Sequence, residues 1–187
     1  MSYDRFLEVV NGLTIPAEGG DKFTDFHNDP GGATKYGITL NTMNTAHFWL
    51  DSNGTFTADD VRNLTLEDAQ TIYYDLYWIV VAGNDLPLGI DSMVFDFGVT
   101  SGTSRAGKQL QTLIGFTGTD VDGWIGPETL ARVKMMPVPT LLSALRAEQL
   151  SFVDDIQNSA ASADRKGWEN RVNRRYDFSQ PKATPTA

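Results

Sequence analysis

The sequence predicts a mainly helical protein with one small glycine-rich hairpin near its N-terminus. Three observations point there. Apolar residues recur at helical spacing through most of the chain, and two Thr-x-x-Asp patterns stand where helices would start. Residues 19 to 37 concentrate Gly, Asp, Asn and Pro in a way that suits a turn rather than a helix. With 187 residues, 41% of them apolar, the chain can bury one core, or one core with a small appended lobe.

The elements follow in order. Phe6, Leu7, Val9, Val10 and Leu13 keep the 3.6-residue period from Tyr3 onward, so a first helix should end between Gly12 and Pro16. Glu18-Gly19-Gly20 comes next, then the hairpin or ordered loop, and Asn53-Gly54 is a strong turn signal. Thr57 to Asp60 and Thr65 to Asp68 read as capping boxes, with Asp in place of the usual Glu. The second opens a helix from Ala69 to Trp78, with Ile72, Leu76 and Ile79 spaced for burial; Tyr73, Tyr74, Tyr77 and Trp78 read as core rather than as a sugar platform, with one face able to line a cleft.

Pro87-Leu-Gly-Ile90 opens an apolar stretch from Met93 to Val99, and Ser104 to Ile114 reads as an amphipathic helix. Asp120 to Thr129 is a turn feeding a helix, and Pro139 to Val153 is a long helix carrying Leu141, Leu142, Leu145, Leu150 and Phe152. The stretch from Ser179 to Ala187 is polar and should be a disordered tail.

Charge and composition exclude several function classes. Lys and Arg total 15 against 24 Asp and Glu, a formal charge of −9, so the chain is a poor binder of nucleic-acid backbone. It has no cysteine, which removes disulfides, thiolate nucleophiles and cysteine metal sites. His27 and His47 stand alone, and Asp51 to Gly54 and Asp120 to Gly123 do not complete a calcium loop, so no metal and no cofactor is expected. The N-terminal residues lack a signal-peptide run, and Trp78 to Ala82 is far too short to span a bilayer. The expectation is a soluble chain without an export signal or stable membrane insertion. The basic cluster Arg165, Lys166, Arg171, Arg174 and Arg175 suits either a solvated helix face or contact with an anionic surface.

Glu18 is the leading candidate for chemistry, although on composition alone a glutamate in this setting reads as a solvated surface residue. It lies just past a helix end beside two glycines, where a long substrate can approach the backbone. A carboxyl group set against apolar neighbours keeps its proton to higher pH and can act as a general acid.

Ala17-Glu-Gly-Gly20, followed by the unbroken block Asn28-Asp-Pro-Gly-Gly-Ala-Thr-Lys-Tyr-Gly-Ile-Thr39, resembles the signature of glycoside hydrolase family 108. These are bacteriophage endolysins and related secretion-activator muramidases. Asp21 stands where the family motif usually continues with an aromatic residue, and Phe23 follows two positions later. Phe95 to Gly102, Leu110-Gln111, Val121 to Gly126 and Gly167 to Val172 are similar to the family's C-terminal region, which is described as peptidoglycan-binding.

The resemblance implies a lysozyme-like α+β fold and a muramidase that cuts the β-1,4 bond between N-acetylmuramic acid and N-acetylglucosamine. Glu18 would be the catalytic acid. Asp29 or Asp25 would supply the second carboxylate that such hydrolysis needs. Phage-type lysozymes use a Glu, an Asp and a Thr across a small hairpin, so Glu18, Asp29 and Thr34 would share the work, with Thr34 positioning water; Asp29 before Pro30 also suits an Asx turn. Gly19, Gly20, Asp25 and Tyr36 would line the substrate, Tyr36 being either a stacking ring or a packed one.

Residues 1–92 would form the catalytic region, 93–178 a helical peptidoglycan-binding region packed on it, and 179–187 the tail. The implied partner is the peptidoglycan glycan strand, with no nucleic acid. The implied setting is a monomeric endolysin made in the host cytoplasm, reaching the periplasm through a holin-type protein. A secretion-associated bacterial muramidase, a chitinase and a catalytically silent wall-binding or virion protein are the alternatives.

Overall fold

The computed structural model describes residues 3–25, 32–46, 55–159 and 165–181, with the backbone alone at 157–159. The described residues are mainly helical, with one two-stranded antiparallel sheet. His27, Asp29, His47, the Asp51 to Gly54 turn and residues 182–187 lie outside them. The chain divides into two compact units, Ser2–Ile79 and Val80–Ala187. Residues 92 and 93 both lie in a helix, Ile90–Ser101, that is buried from Ile90 to Gly98.

In the first unit, α1 (Tyr3–Val9) runs into a widened π turn (Val10–Thr14) and then α2 (Ile15–Ala17). The helix therefore does not stop between Gly12 and Pro16. Proline lacks an N–H, so it is tolerated where the hydrogen-bond ladder already shifts register, and Pro16 sits just after the π turn. Buried Leu13, Thr14 and Ile15 hold that path. The helix ends in a Schellman-type closure: Gly20 N–H donates to Ile15 O at 3.0 Å, with Gly19 at φ +94°.

The sheet is a hairpin, β1 (Thr34–Lys35) and β2 (Ile38–Thr39), with Thr34 opposite Thr39 and Lys35 opposite Ile38. Tyr36 and Gly37 both have positive φ, as a two-residue turn between right-twisted strands demands. Thr24 adds a bridge to Thr34. Thr39 then caps α3 (Leu40–Thr45) by accepting Thr42 N–H at 3.1 Å.

Both predicted capping boxes form. The Asp60 carboxylate accepts Thr57 N–H at 2.7 Å at the start of α4 (Ala58–Asn63). Asp68 accepts Thr65 N–H at 3.0 Å at the start of α5 (Leu66–Tyr73), which a second π turn (Tyr74–Trp78) extends. Lys35 Nζ donates to Arg62 O and Leu64 O, so the hairpin satisfies carbonyls left open at the end of α4. The Phe6 ring packs edge-on against Tyr74 and Trp78.

The second unit holds α6 (Ile90–Ser101), α7 (Thr103–Leu113), a short 3-10 turn (Gly118–Asp120), α8 (Pro127–Met135), α9 (Val138–Ser159) and α10 (Arg165–Ser179). Helices α6, α7, α9 and α10 pack on one another. Among them lies Asp96, fully buried. Arg175 Nε donates to it at 2.8 Å, Arg171 Nη2 at 2.9 Å, and Arg175 Nη1 also reaches Gln149 Oε1 at 2.6 Å. Two members of the basic cluster thus turn inward instead of forming a solvated or wall-facing surface. Burial pushes the Asp96 carboxyl up, but the two guanidiniums and their hydrogen bonds overcome it and hold the group at about 2.

The expected disordered tail also begins too early. Ser179 is the last residue of α10, is buried, and shares a 2.7 Å hydroxyl hydrogen bond with Ser92. A Cβ on Gly89 would collide with Ser179 O, so the two helix ends meet backbone to backbone.

Asp96→Asn should lower stability by about 3–5 kcal/mol, because it leaves the buried Arg175 and the part-buried Arg171 without their counter-charge. In the wild type the folded pKa lies below the unfolded value of about 3.9. The pair's contribution should therefore be complete above about pH 4 and fade as pH falls toward 2. Denaturant unfolding of both proteins between pH 2 and 7 measures it, and a gap that does not narrow in acid would disprove the assignment.

Candidate active site

Glu18 is the C-cap of α2, and its N–H is shared between Thr14 O (3.0 Å) and Ile15 O (3.1 Å). Its side chain is half-buried. The stem of that side chain runs against Gly37 in the hairpin turn. A Cβ on Gly37 would fall 2.6 Å from Glu18 Cβ, 2.7 Å from Glu18 Cγ and 2.6 Å from Tyr73 Oη. Only a glycine lets the turn come this close.

Two hydrogen bonds lock the turn there. Tyr73 Oη donates to Tyr36 O at 2.9 Å, and Tyr36 N–H donates to Gly20 O at 3.0 Å. Tyr77, one helical turn past Tyr73, has its ring centroid 5.8 Å from that of Tyr73. Burial first, and then the negative charge of Glu18, hold the Tyr77 phenol above its ordinary value.

The structure brings Gly19, Gly20 and Tyr36 to Glu18. Gly19 and Gly20 have φ of +94° and +65°, and no described residue lies within 4 Å of where a Cβ would stand on either. These two glycines are needed for backbone conformation, and no described neighbour crowds them. Tyr36 contributes its backbone to the lock, and the Lys35 ammonium lies 5.3 Å from the centre of its ring. Thr34 is half-buried on β1, its hydroxyl donating to Gly32 O at 3.1 Å. Asp25 is exposed just after the Thr24 bridge. Asp29 is outside the described residues. Among the described residues no group of His, Asp and Glu gathers to hold a metal.

A model of the family described as Glycosyl hydrolase 108 matches residues 12–102, a span that includes Glu18, the hairpin and both tyrosines. The solved structure of Brucella abortus SagA is 34% identical, with a TM-score of 0.78; the match covers 98% of this chain and 100% of that one. The chain belongs to the glycosyl hydrolase 108 family. It is a glycoside hydrolase of the peptidoglycan-hydrolase type, on a mainly helical, lysozyme-like α+β fold. No curated protein matches it.

For this glycosyl hydrolase 108 member, sequence reasoning passed over Gly37, and it read Tyr73 and Tyr77 as core rings first, with one face able to line a cleft. Tyr73 is buried as expected of a core ring, yet its hydroxyl reaches the turn that backs Glu18. The signal was the four-residue spacing of Tyr73 and Tyr77, which puts two hydroxyls on one helix face.

Gly37→Ala should be the more damaging of two substitutions here. It adds strain at φ +76° and a collision with Glu18, costing about 1–3 kcal/mol and at least about tenfold in hydrolysis through misplacement of the carboxyl. Tyr73→Phe removes one hydrogen bond and should cost about 1 kcal/mol. Thermal unfolding together with the rate of peptidoglycan clearing tests both.

Proposed function

We propose that this protein is an N-acetylmuramidase that cleaves the β-1,4 bond between N-acetylmuramic acid and N-acetylglucosamine, with Glu18 as general acid. One observation carries the reading: within the family-matched span, the Glu18 stem lies against the Gly37 turn that Tyr73 anchors, while no described residue crowds Gly19 or Gly20. A proton donor for a glycosidic oxygen must be held in this way, fixed at its root and accessible at its tip.

In this reading Glu18 protonates the leaving oxygen as positive charge develops on the muramic sugar ring. A second carboxylate, Asp29 or Asp25, supports that charge or activates water, and Thr34 orients the water through its free lone pairs. Tyr36 and the Gly19-Gly20 backbone line the glycan strand. No cofactor takes part.

The physiological role we favour is a phage or prophage endolysin, a monomer made in the host cytoplasm and released to the periplasmic wall by a holin-type protein. The similarity to a Brucella abortus chain over its whole length supports a second setting, a bacterial muramidase associated with secretion.

Purified Gram-negative peptidoglycan digested with wild type and Glu18→Gln gives the test. Wild type should release fragments with muramic acid at the reducing end by mass spectrometry. Glu18→Gln should be slower by about a hundredfold or more. Glucosamine reducing ends, equal cleavage of chitin oligosaccharides, or full activity in Glu18→Gln would each overturn the assignment. Wall binding by both proteins without any cleavage would favour the silent binding protein.

A further inference from the structure

The loop joining α7 to α8 is fixed far more firmly than a connection requires. Buried Gln111 donates from Nε2 to Asp122 Oδ1 at 2.8 Å and to Trp124 O at 3.0 Å, and accepts Gly123 N–H on Oε1 at 2.8 Å. Asp122 Oδ1 also accepts Trp124 N–H at 2.8 Å. These hydrogen bonds, from Gln111 first, hold the Asp122 carboxyl below its usual range, so it stays an ionised acceptor. The loop comes so close to α7 that a Cβ on Gly107 would collide with Gly123 O.

What this scaffold presents is Trp124, and Trp124 is 68% exposed. Its ring lies on Gly126, where a Cβ would fall 2.6–2.8 Å from Cζ3, Cε3 and Cη2. One indole face is therefore covered by backbone, and the ring is held in place while remaining largely open to solvent. Beside it opens a cleft of about 190 Å³ lined by Thr119, Asp120, Asp122, Glu128 and Thr129. Arg132 next to the cleft is occupied, donating to Glu128 at 2.9 Å and lying 3.9 Å over the Phe116 ring.

A flat apolar face bordered by hydroxyl and carboxylate oxygens suits a ligand with an apolar C–H face and outward hydroxyl donors. That is a pyranose ring. Arg132 offsets Glu128, but Asp120 and Asp122 still leave the cleft negative, which disfavours phosphates and other anions, so the ring is a neutral one. A preorganised loop binds without the cost of ordering itself. We propose that Trp124 is a sugar-stacking platform, on which a neutral N-acetylhexosamine unit of a glycan strand lies with its hydroxyls directed at Asp120 and Thr119. The proposal rests on the reading that the protein acts on a glycan, and adds a second contact to it within the Val80–Ala187 unit.

The test uses full-length Glu18→Gln protein labelled with nitrogen-15 and titrated with the N-acetylglucosamine tetramer. The Trp124 indole N–H resonance, assigned by its loss in Trp124→Phe, should shift with saturation. In the same background, Trp124→Ala should co-sediment with insoluble peptidoglycan about tenfold more weakly, Trp124→Phe should recover part of the loss, and the melting temperatures should match, since the ring is exposed. An unmoved indole resonance, or unchanged wall binding in Trp124→Ala, overturns the proposal. If wild type fails to cleave peptidoglycan while the resonance still shifts, the muramidase reading fails and the platform stands. If cleavage proceeds and the resonance is silent, the reverse holds.

Discussion

The front of this molecule depends on one close approach, that of the Tyr36–Gly37 turn to the stem of Glu18. It joins three separately determined features. The Schellman-type closure of α2 sets where Glu18 leaves the helix, the positive-φ pair sets the hairpin turn, and the Tyr73 hydroxyl draws the Tyr36 carbonyl toward α5. Two of these features are backbone devices and the third is a hydroxyl on a buried ring, so the stem of Glu18 rests against a wall with little freedom to move. A catalytic side chain held to within about half an ångström needs such support behind it.

The second unit is organised around a different constraint, a buried charge. Asp96 on α6 receives two arginines from α10, and one of these reaches Gln149 on α9. The net energy of such a cluster is small, because the desolvation of each ion offsets most of the attraction. Its effect is on register: sliding α10 by one residue would strand three charges in an apolar interior. The Ser92–Ser179 hydrogen bond and the bare Gly89 backbone fix the same register at the helix end.

Glycine serves two separate purposes in this chain. At Gly19 and Gly20 the need is conformational, since positive φ closes the helix and no described neighbour crowds the missing side chain. At Gly107 the need is steric, since a methyl group would collide with the backbone of the Trp124 loop. Gly37 carries both demands at once. That explains why the hairpin turn is the least substitutable point near Glu18.

Local signals settled what local energetics decides. The two Thr-x-x-Asp boxes, the amphipathic α7 and the glycine-rich hairpin were legible because capping, periodicity and turn chemistry act within a few residues. Glu18 was legible through its motif. The path of the first helix through Gly12 and Pro16 was not, because burial of Leu13, Thr14 and Ile15 overrode the breakers. Nor were the inward turn of Arg171 and Arg175, the reach of Tyr73 to Tyr36, or the exposure of Trp124. Each of these depends on what the folded chain sets opposite a residue tens of positions away: an aspartate 75 and 79 positions upstream, a carbonyl 37 positions back, a buried glutamine across the loop. The sequence by itself determined most of the helices and marked Glu18 as the candidate carboxyl; the tertiary structure decided which polar groups meet, because only packing removes the water that would otherwise satisfy them.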